Sequence, residues 1–133
     1  MTGLRLYKKE KLCSNTAIEQ LFDRGASDTH GALAYPLRAV WRVNPMRHSD
    51  SPVAFLISVP KKRLRHAVDR VTMRRRIREA YRLNHQNYQL PGGIRIDVAF
   101  IYVSSTLTNY RTIETAMTRL LSKISRFDYG NNQ

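Results

Sequence analysis

An α+β sandwich, with helices laid against a mostly antiparallel sheet, is the fold class this sequence predicts. Three observations predict it. Residues 34–43 alternate apolar and polar, 53–59 form a continuous apolar run, and 94–103 read as a third strong strand. Residues 14–24, 69–82 and 113–124 instead repeat their apolar side chains at three- and four-residue steps, the period of a helix. The resulting order is helix, strands, helix, strand, helix within 133 residues, the length of one domain with a single core. The whole chain, 1–133, therefore reads as one unit, with residues 1–5 and 128–133 expected to be loose.

The elements follow in order. In "SNTAIEQLFDR" (14–24), Thr16 and Glu19 fit a capping box, Ile18, Leu21 and Phe22 form one stripe, and Gly25 stands where a C-terminal cap belongs. In "AYPLRAVWRV" (34–43), Tyr35, Leu37, Ala39, Trp41 and Val43 are expected on one face and Arg38 and Arg42 on the other, with Pro36 at a strand start or sheet edge. The polar loop "NPMRHSDSP" leads to "VAFLISV" (53–59), expected to be covered on both faces and to pair antiparallel with 34–43. Next comes the basic stretch "DRVTMRRRIREAYR" (69–82), whose apolar seam is Met73, Ile77, Ala80 and Tyr81, flanked by Arg70 and Arg76. A turn-rich link precedes the third strand, "IRIDVAFIYV" (94–103). The last helix carries Ile113, Ala116, Met117, Leu120, Leu121 and Ile124, with Asn109 as its N-cap.

Charge is the most informative feature. There are 23 lysines and arginines against 10 acids, a net charge of +13. Residues 61–82 hold ten of those cations and only two acids, Asp69 and Glu79, so about a sixth of the chain carries more than half of the excess. Arg70, Arg74, Arg78 and Arg82 are spaced four apart, and each like-charged pair at that spacing destabilises a helix by roughly 0.2–0.5 kcal/mol. A solvated helix face would intersperse acids to relieve this repulsion; a face awaiting phosphates would not. A membrane surface would call for a broad apolar face with Trp, Phe or Leu opposite the cations, and this seam is narrow. Nucleic acid is the partner that fits.

Catalytic chemistry is thin. The ten acids are scattered, whereas metal-dependent phosphodiester cleavage needs carboxylates converging on ions about 3.5–4 Å apart. Asp97, on a strand, reads as a polar position or the partner of a nearby arginine. His30, His48, His66 and His85 share no ligand spacing with one another or with Cys13, and "PGG" (91–93) lacks the Lys-Ser/Thr of a phosphate loop. A single cysteine excludes an internal disulfide framework, and neither a signal peptide nor a span of 18 apolar residues occurs, so a cytoplasmic location is expected. What remains is a binder's inventory of planar guanidinium donors matched to phosphate oxygens.

The stretch "SVPKKRLRHAVDRVTMRRRIREAYR" (58–82) resembles the hallmark of the protein subunit of bacterial ribonuclease P. That family ends a strand with Ser-Val-x-Lys-Lys, makes an Asn-Ala-Val-like turn, and enters a helix bearing Arg-Asn-Arg and a further basic run. Ser58-Val59-Pro60-Lys61-Lys62, Ala67-Val68, Arg70, Arg75, Ile77-Arg78 and Ala80-Tyr81 fit. "IEQLFDRGAS" looks like the family's first helix and its exit. Two departures stand out: Arg-Asn-Arg reads Arg70-Val71-Thr72, and the asparagine before Ala-Val is His66, with one extra residue between Lys62 and Ala67. Arg74 and Arg76 are expected to replace the missing charge.

The resemblance implies a division of labour. A catalytic RNA and its Mg ions cut the 5′ leader from precursor tRNA, and the protein supplies no catalytic group. Lys61, Lys62, Arg65, His66, Arg70, Arg74, Arg75, Arg78 and Arg82 would meet the catalytic RNA. Ile18, Phe22 and Arg38 would line a cleft for the single-stranded leader, where stacking and backbone contacts tolerate any sequence. Phe22 serves equally well as an ordinary core residue, and a one-residue shift in register would exchange Arg38 for Leu37 or Tyr35. The resemblance also implies a left-handed crossover around the arginine helix and a protein that is monomeric apart from RNA. The alternative is a ribosomal-type RNA-binding module with no part in tRNA processing, since a fold does not fix a function.

Overall fold

A computed structural model describes residues 29–43, 53–85 and 94–127. The expected helix over 14–24, with Ile18, Phe22 and the capping box, lies outside the described residues, as do Cys13 and both chain ends. The described elements run β1 (Thr29–Ala34), β2 (Leu37–Val43), β3 (Val53–Ser58), α1 (Ala67–Asn84), β4 (Ile96–Tyr102) and α2 (Tyr110–Arg126). They form one four-stranded sheet in the order β1-β2-β4-β3 with both helices packed on one face.

The alternation in 34–43 is real but belongs to two elements. β1 and β2 make an antiparallel hairpin with Ala34 opposite Leu37, so Tyr35 and Pro36 are its two-residue turn, and the bond between them is cis. Tyr35 thus leaves the row it was expected to share with Leu37 and is 68% exposed. Leu37, Ala39 and Trp41 all face the core. The strand over 29–34, "THGALA", has too little β-branched or alternating apolar content to announce itself.

The expected pairing of 34–43 with 53–59 is corrected by β4, which inserts between them. β2 is antiparallel to β4, and β3 is parallel to β4. β4 is the central strand of this half of the sheet, and six of its seven residues are buried, Asp97 among them. β3 instead lies at the edge: Val53, Ala54 and Phe55 are buried, but Leu56, Ile57 and Ser58 are only half-buried. Parallel neighbours need a crossover, and α1 supplies it.

The core lies between the sheet and the helices. Leu37, Ala39 and Trp41 stand opposite Tyr102, Phe100 and Val98 on the face toward the helices. Met73, Ile77, Ala80 and Tyr81 of α1 are all buried, as the seam required, and Tyr81 stacks on Phe55 with ring centroids 4.3 Å apart. Ile113, Ala116, Met117, Leu120, Leu121 and Ile124 of α2 are likewise buried, each large one contributing roughly 1.5–3 kcal/mol of transfer free energy. Asn109 caps α2 by accepting from the backbone N–H of Thr112 at 2.9 Å. Loop 103–109 is braced by Tyr102, whose hydroxyl donates to the Thr106 carbonyl and lies 2.6 Å from the Thr108 hydroxyl.

Candidate nucleic-acid interface

The basic surface begins where β3 ends. Val59 and Leu64 are apolar and buried, and between them the chain turns, with the N–H groups of Arg63 and Leu64 both donating to the Pro60 carbonyl. Two buried anchors five residues apart force the intervening side chains outward, so Lys61, Lys62 and, just beyond, Arg65 and His66 are exposed. His66 occupies the N-cap of α1 with extended backbone and makes no side-chain cap bond.

Along α1 the arginines divide into two groups. Arg74, Arg75 and Arg78 are exposed and donate to no described residue. On a helical wheel they lie roughly opposite the Met73–Ile77 seam, so burying the seam presents them to solvent. Arg70, Arg76 and Arg82 are half-buried and engaged. Arg70 Nη1 donates to the carbonyls of Leu64 and Arg65, both at 2.9 Å. Arg76 Nη1 donates to the Thr108 carbonyl at 2.6 Å, tying α1 to the loop before α2. That bond commits one nitrogen of Arg76, the residue expected with Arg74 to replace the charge missing from Arg70-Val71-Thr72, to holding the fold. Thr72 turns back on its own helix, its hydroxyl donating to the Val68 carbonyl at 3.0 Å, and Val71 is exposed.

Arg82 forms a two-pronged pair with Glu79, Nε to Oε1 at 3.0 Å and Nη2 to Oε2 at 2.7 Å. The hydrogen bond from Arg82 holds the Glu79 carboxyl below its ordinary pKa, against a smaller opposing effect of burial. The same bond raises the pKa of Arg82. The second acid at this end, Glu114, faces Asn84 Nδ2 at 3.2 Å and the Tyr110 hydroxyl at 3.3 Å. Burial, with Glu114 beside it, pushes the Tyr110 phenol up. These two acids are thus occupied within the fold, and neither interrupts the Arg74-Arg75-Arg78 surface.

The other sheet face has a different character. Arg38, Val40 and Arg42 alternate with the core residues of β2 and stand opposite Ile101, Ala99 and Asp97 of β4. Ala54 and Ala99 are buried there, with Val40, Leu56 and Ile101 half-buried around them, a small apolar floor. Arg38 is exposed on this face, so the register that placed it away from the core holds, and Leu37 belongs to the core. Ile18 and Phe22, its expected companions, lie outside the described residues. Arg42 shares this face and was not among the candidates, although the alternation already paired it with Arg38. Asp97 is fully buried, directly across the ladder from Arg42.

The described acids, Asp69, Glu79, Asp97 and Glu114, sit on three elements, and no three His, Cys, Asp or Glu side chains among the described residues converge as metal ligands. No described helix is long and apolar enough to cross a membrane.

A family model described as Ribonuclease P matches residues 6–125. Proteins from two strains of Porphyromonas gingivalis, each called ribonuclease P protein component, are 37% identical over 123 residues, covering 90% of this chain and 86% of theirs. The fold is similar to that of the Staphylococcus aureus RNase P protein, with a TM-score of 0.66 at 18% identity over 90% of this chain and 98% of that one. It is also similar to the Thermotoga maritima RNase P protein, solved with 1-(4-fluorophenyl)-2-thiourea, with a TM-score of 0.57 at 19% identity over 76% and 88% of the two chains. A family match spanning the basic turn, α1, the central strand and α2 together leads to one assignment: this chain belongs to the ribonuclease P protein family.

Proposed function

We propose that the chain is the protein component of a ribonuclease P ribonucleoprotein, which matures the 5′ end of precursor tRNA. The observation that carries this reading is the acid-free outward surface of Lys61, Lys62, Arg65, Arg74, Arg75 and Arg78, none of which donates a side-chain hydrogen bond to a described residue. Guanidinium forks and ammonium groups fixed on a helix and a braced turn suit the phosphates of a folded RNA. Holding that surface together against its own repulsion costs stability that bound phosphates return.

In this reading the catalytic RNA carries the chemistry with its Mg ions, and the protein is a non-catalytic subunit of the endoribonuclease. The leader of precursor tRNA runs along the second sheet face, where Arg38 offers charge beside the apolar floor of Val40, Leu56 and Ile101. Sequence-tolerant binding of a single strand uses that combination of phosphate attraction and apolar platform. The protein acts in the cytoplasm as a monomer apart from its RNA partners.

The test is processing of precursor tRNA by this protein with the catalytic RNA of its own cell, at low magnesium and near-physiological salt, with each component also assayed alone. Cleavage at the mature 5′ end only when both are present is the expected result. Tight RNA binding without a gain in cleavage would point to a ribosomal-type module, and cleavage by the protein alone would overturn the division of labour.

A further inference from the structure

We propose that Arg70, the first residue of the family's arginine motif, is a positioning residue that holds the basic turn in its RNA-binding shape rather than a phosphate contact itself. The inference deepens the reading above and rests on it. Nη1 of a guanidinium carries two hydrogens, and here both are directed at backbone carbonyls, those of Leu64 and Arg65 at 2.9 Å each. These carbonyls close the turn that displays Lys61, Lys62 and Arg65. The backbone side of the same turn is fixed by the Pro60 carbonyl, which accepts from Arg63 and Leu64, and its apolar side by the buried Leu64 side chain. Arg70 is the one side chain of α1 whose hydrogen bonds reach back to this turn among the described residues.

The placement has a physical reason. Arg70 lies in the first turn of α1, where the helix dipole disfavours a cation. Two carbonyl oxygens supply the negative potential that the helix start lacks, so the guanidinium folds back over the turn and is half-buried instead of extending beside Arg74. Without it, the turn retains only the Pro60 bonds and its two apolar anchors, Val59 and Leu64, while four cations at 61, 62, 63 and 65 repel one another. Presentation of Lys61, Lys62 and Arg65 at fixed spacing then depends on Arg70. The substitution of the rest of the motif by Val71 and Thr72 is compatible with this: Thr72 bonds its own helix, and neither residue holds the turn.

The experiment is a mutant cycle on affinity for the catalytic RNA, read with its salt dependence. Arg70→Met is combined with the triple variant Lys61→Ala, Lys62→Ala, Arg65→Ala in the full chain. Residues of one hydrogen-bonded unit are non-additive, so Arg70→Met alone is expected to weaken binding on the order of tenfold and to leave the triple variant's affinity and salt slope unchanged. Amide hydrogen exchange should quicken over 61–66 in Arg70→Met while α2 stays protected. An equal loss in both backgrounds, with the salt slope falling by about 1, would make Arg70 a direct phosphate contact and overturn the proposal. No effect of Arg70→Met in the wild-type background would overturn it as well. A triple variant that binds as well as wild type would instead overturn the RNA role of the turn itself. Should Arg70→Met unfold, Arg70→Gln, which keeps bulk and one donor group, enters the same cycle with the same readings.

Discussion

At the level of single residues, the arginines of α1 differ by what they already hold. Arg74, Arg75 and Arg78 hold nothing among the described residues, whereas Arg70, Arg76 and Arg82 are committed to carbonyls or to Glu79. Spacing alone put Arg74, Arg78 and Arg82 on one face, and it could not show that Glu79 draws Arg82 aside. Arg78→Glu is therefore expected to weaken catalytic-RNA affinity and lower the salt slope by at least about 1, with a thermal midpoint at or slightly above that of wild type because two like-charged pairs are removed. A filter-binding series over salt, with a melting curve, checks both halves. Glu79→Gln acts in the opposite direction: it removes the acid nearest the basic face and releases Arg82, so RNA affinity should rise. Its cost to stability depends on pH. The folded pKa of Glu79 lies below its unfolded value, so the pair stabilises the fold above the ordinary carboxylate range, and that contribution is lost as pH falls through the folded pKa. The difference in thermal midpoint between wild type and Glu79→Gln should be small at neutral pH, as for any exposed pair, and vanish in acid.

At the level of elements, legibility followed the strength of the local pattern. The seam of α1 and the stripe of α2 were read residue by residue, because three- and four-residue spacing fixes which side chains a helix must bury. The Asn109 cap was legible for the same reason: its side chain acts on its own helix. Asn109→Ala should cost about 1 kcal/mol, within the range of 0.5–2 for lost caps, measurable by urea unfolding. A null result would mean that the braced loop 103–109 already holds the helix start. Pairing, in contrast, was not legible. Consecutive strands are neighbours roughly two-thirds of the time, and nothing within 34–59 reveals that β4, forty residues on, will separate β2 from β3. β1 was missed because "THGALA" gains its strand character from pairing with β2, a tertiary effect. The site shows the same divide. Exposure of the basic turn follows from Val59 and Leu64, which the sequence displays, while the clamps made by Arg70 and Arg76 reach carbonyls whose positions only the folded backbone sets.

For the molecule as a whole, one charge distribution has two opposite consequences for salt. A net charge of +13 on 133 residues makes the isolated chain repel itself, and the repulsion is greatest where ten cations share 22 residues. Screening shortens the reach of these charges from about 10 Å at 0.1 M to about 3 Å at 1 M ionic strength. Added sodium chloride should therefore raise the thermal midpoint of the free protein. In the proposed function the same ions compete with it for RNA. If Lys61, Lys62, Arg65, Arg74, Arg75 and Arg78 each neutralise one phosphate, log K for the catalytic RNA should fall against log salt with a slope of roughly −4 to −5. Calorimetry of the free protein and binding isotherms, both between about 0.05 and 0.5 M salt, test the two trends on one preparation. A free protein whose midpoint is flat in salt would show that the cations are already compensated within the fold. A binding slope near −1 would confine the interface to one or two of the six. Opposite slopes of the expected size would mean that the surface is built at the expense of the free protein's stability and completed by the RNA.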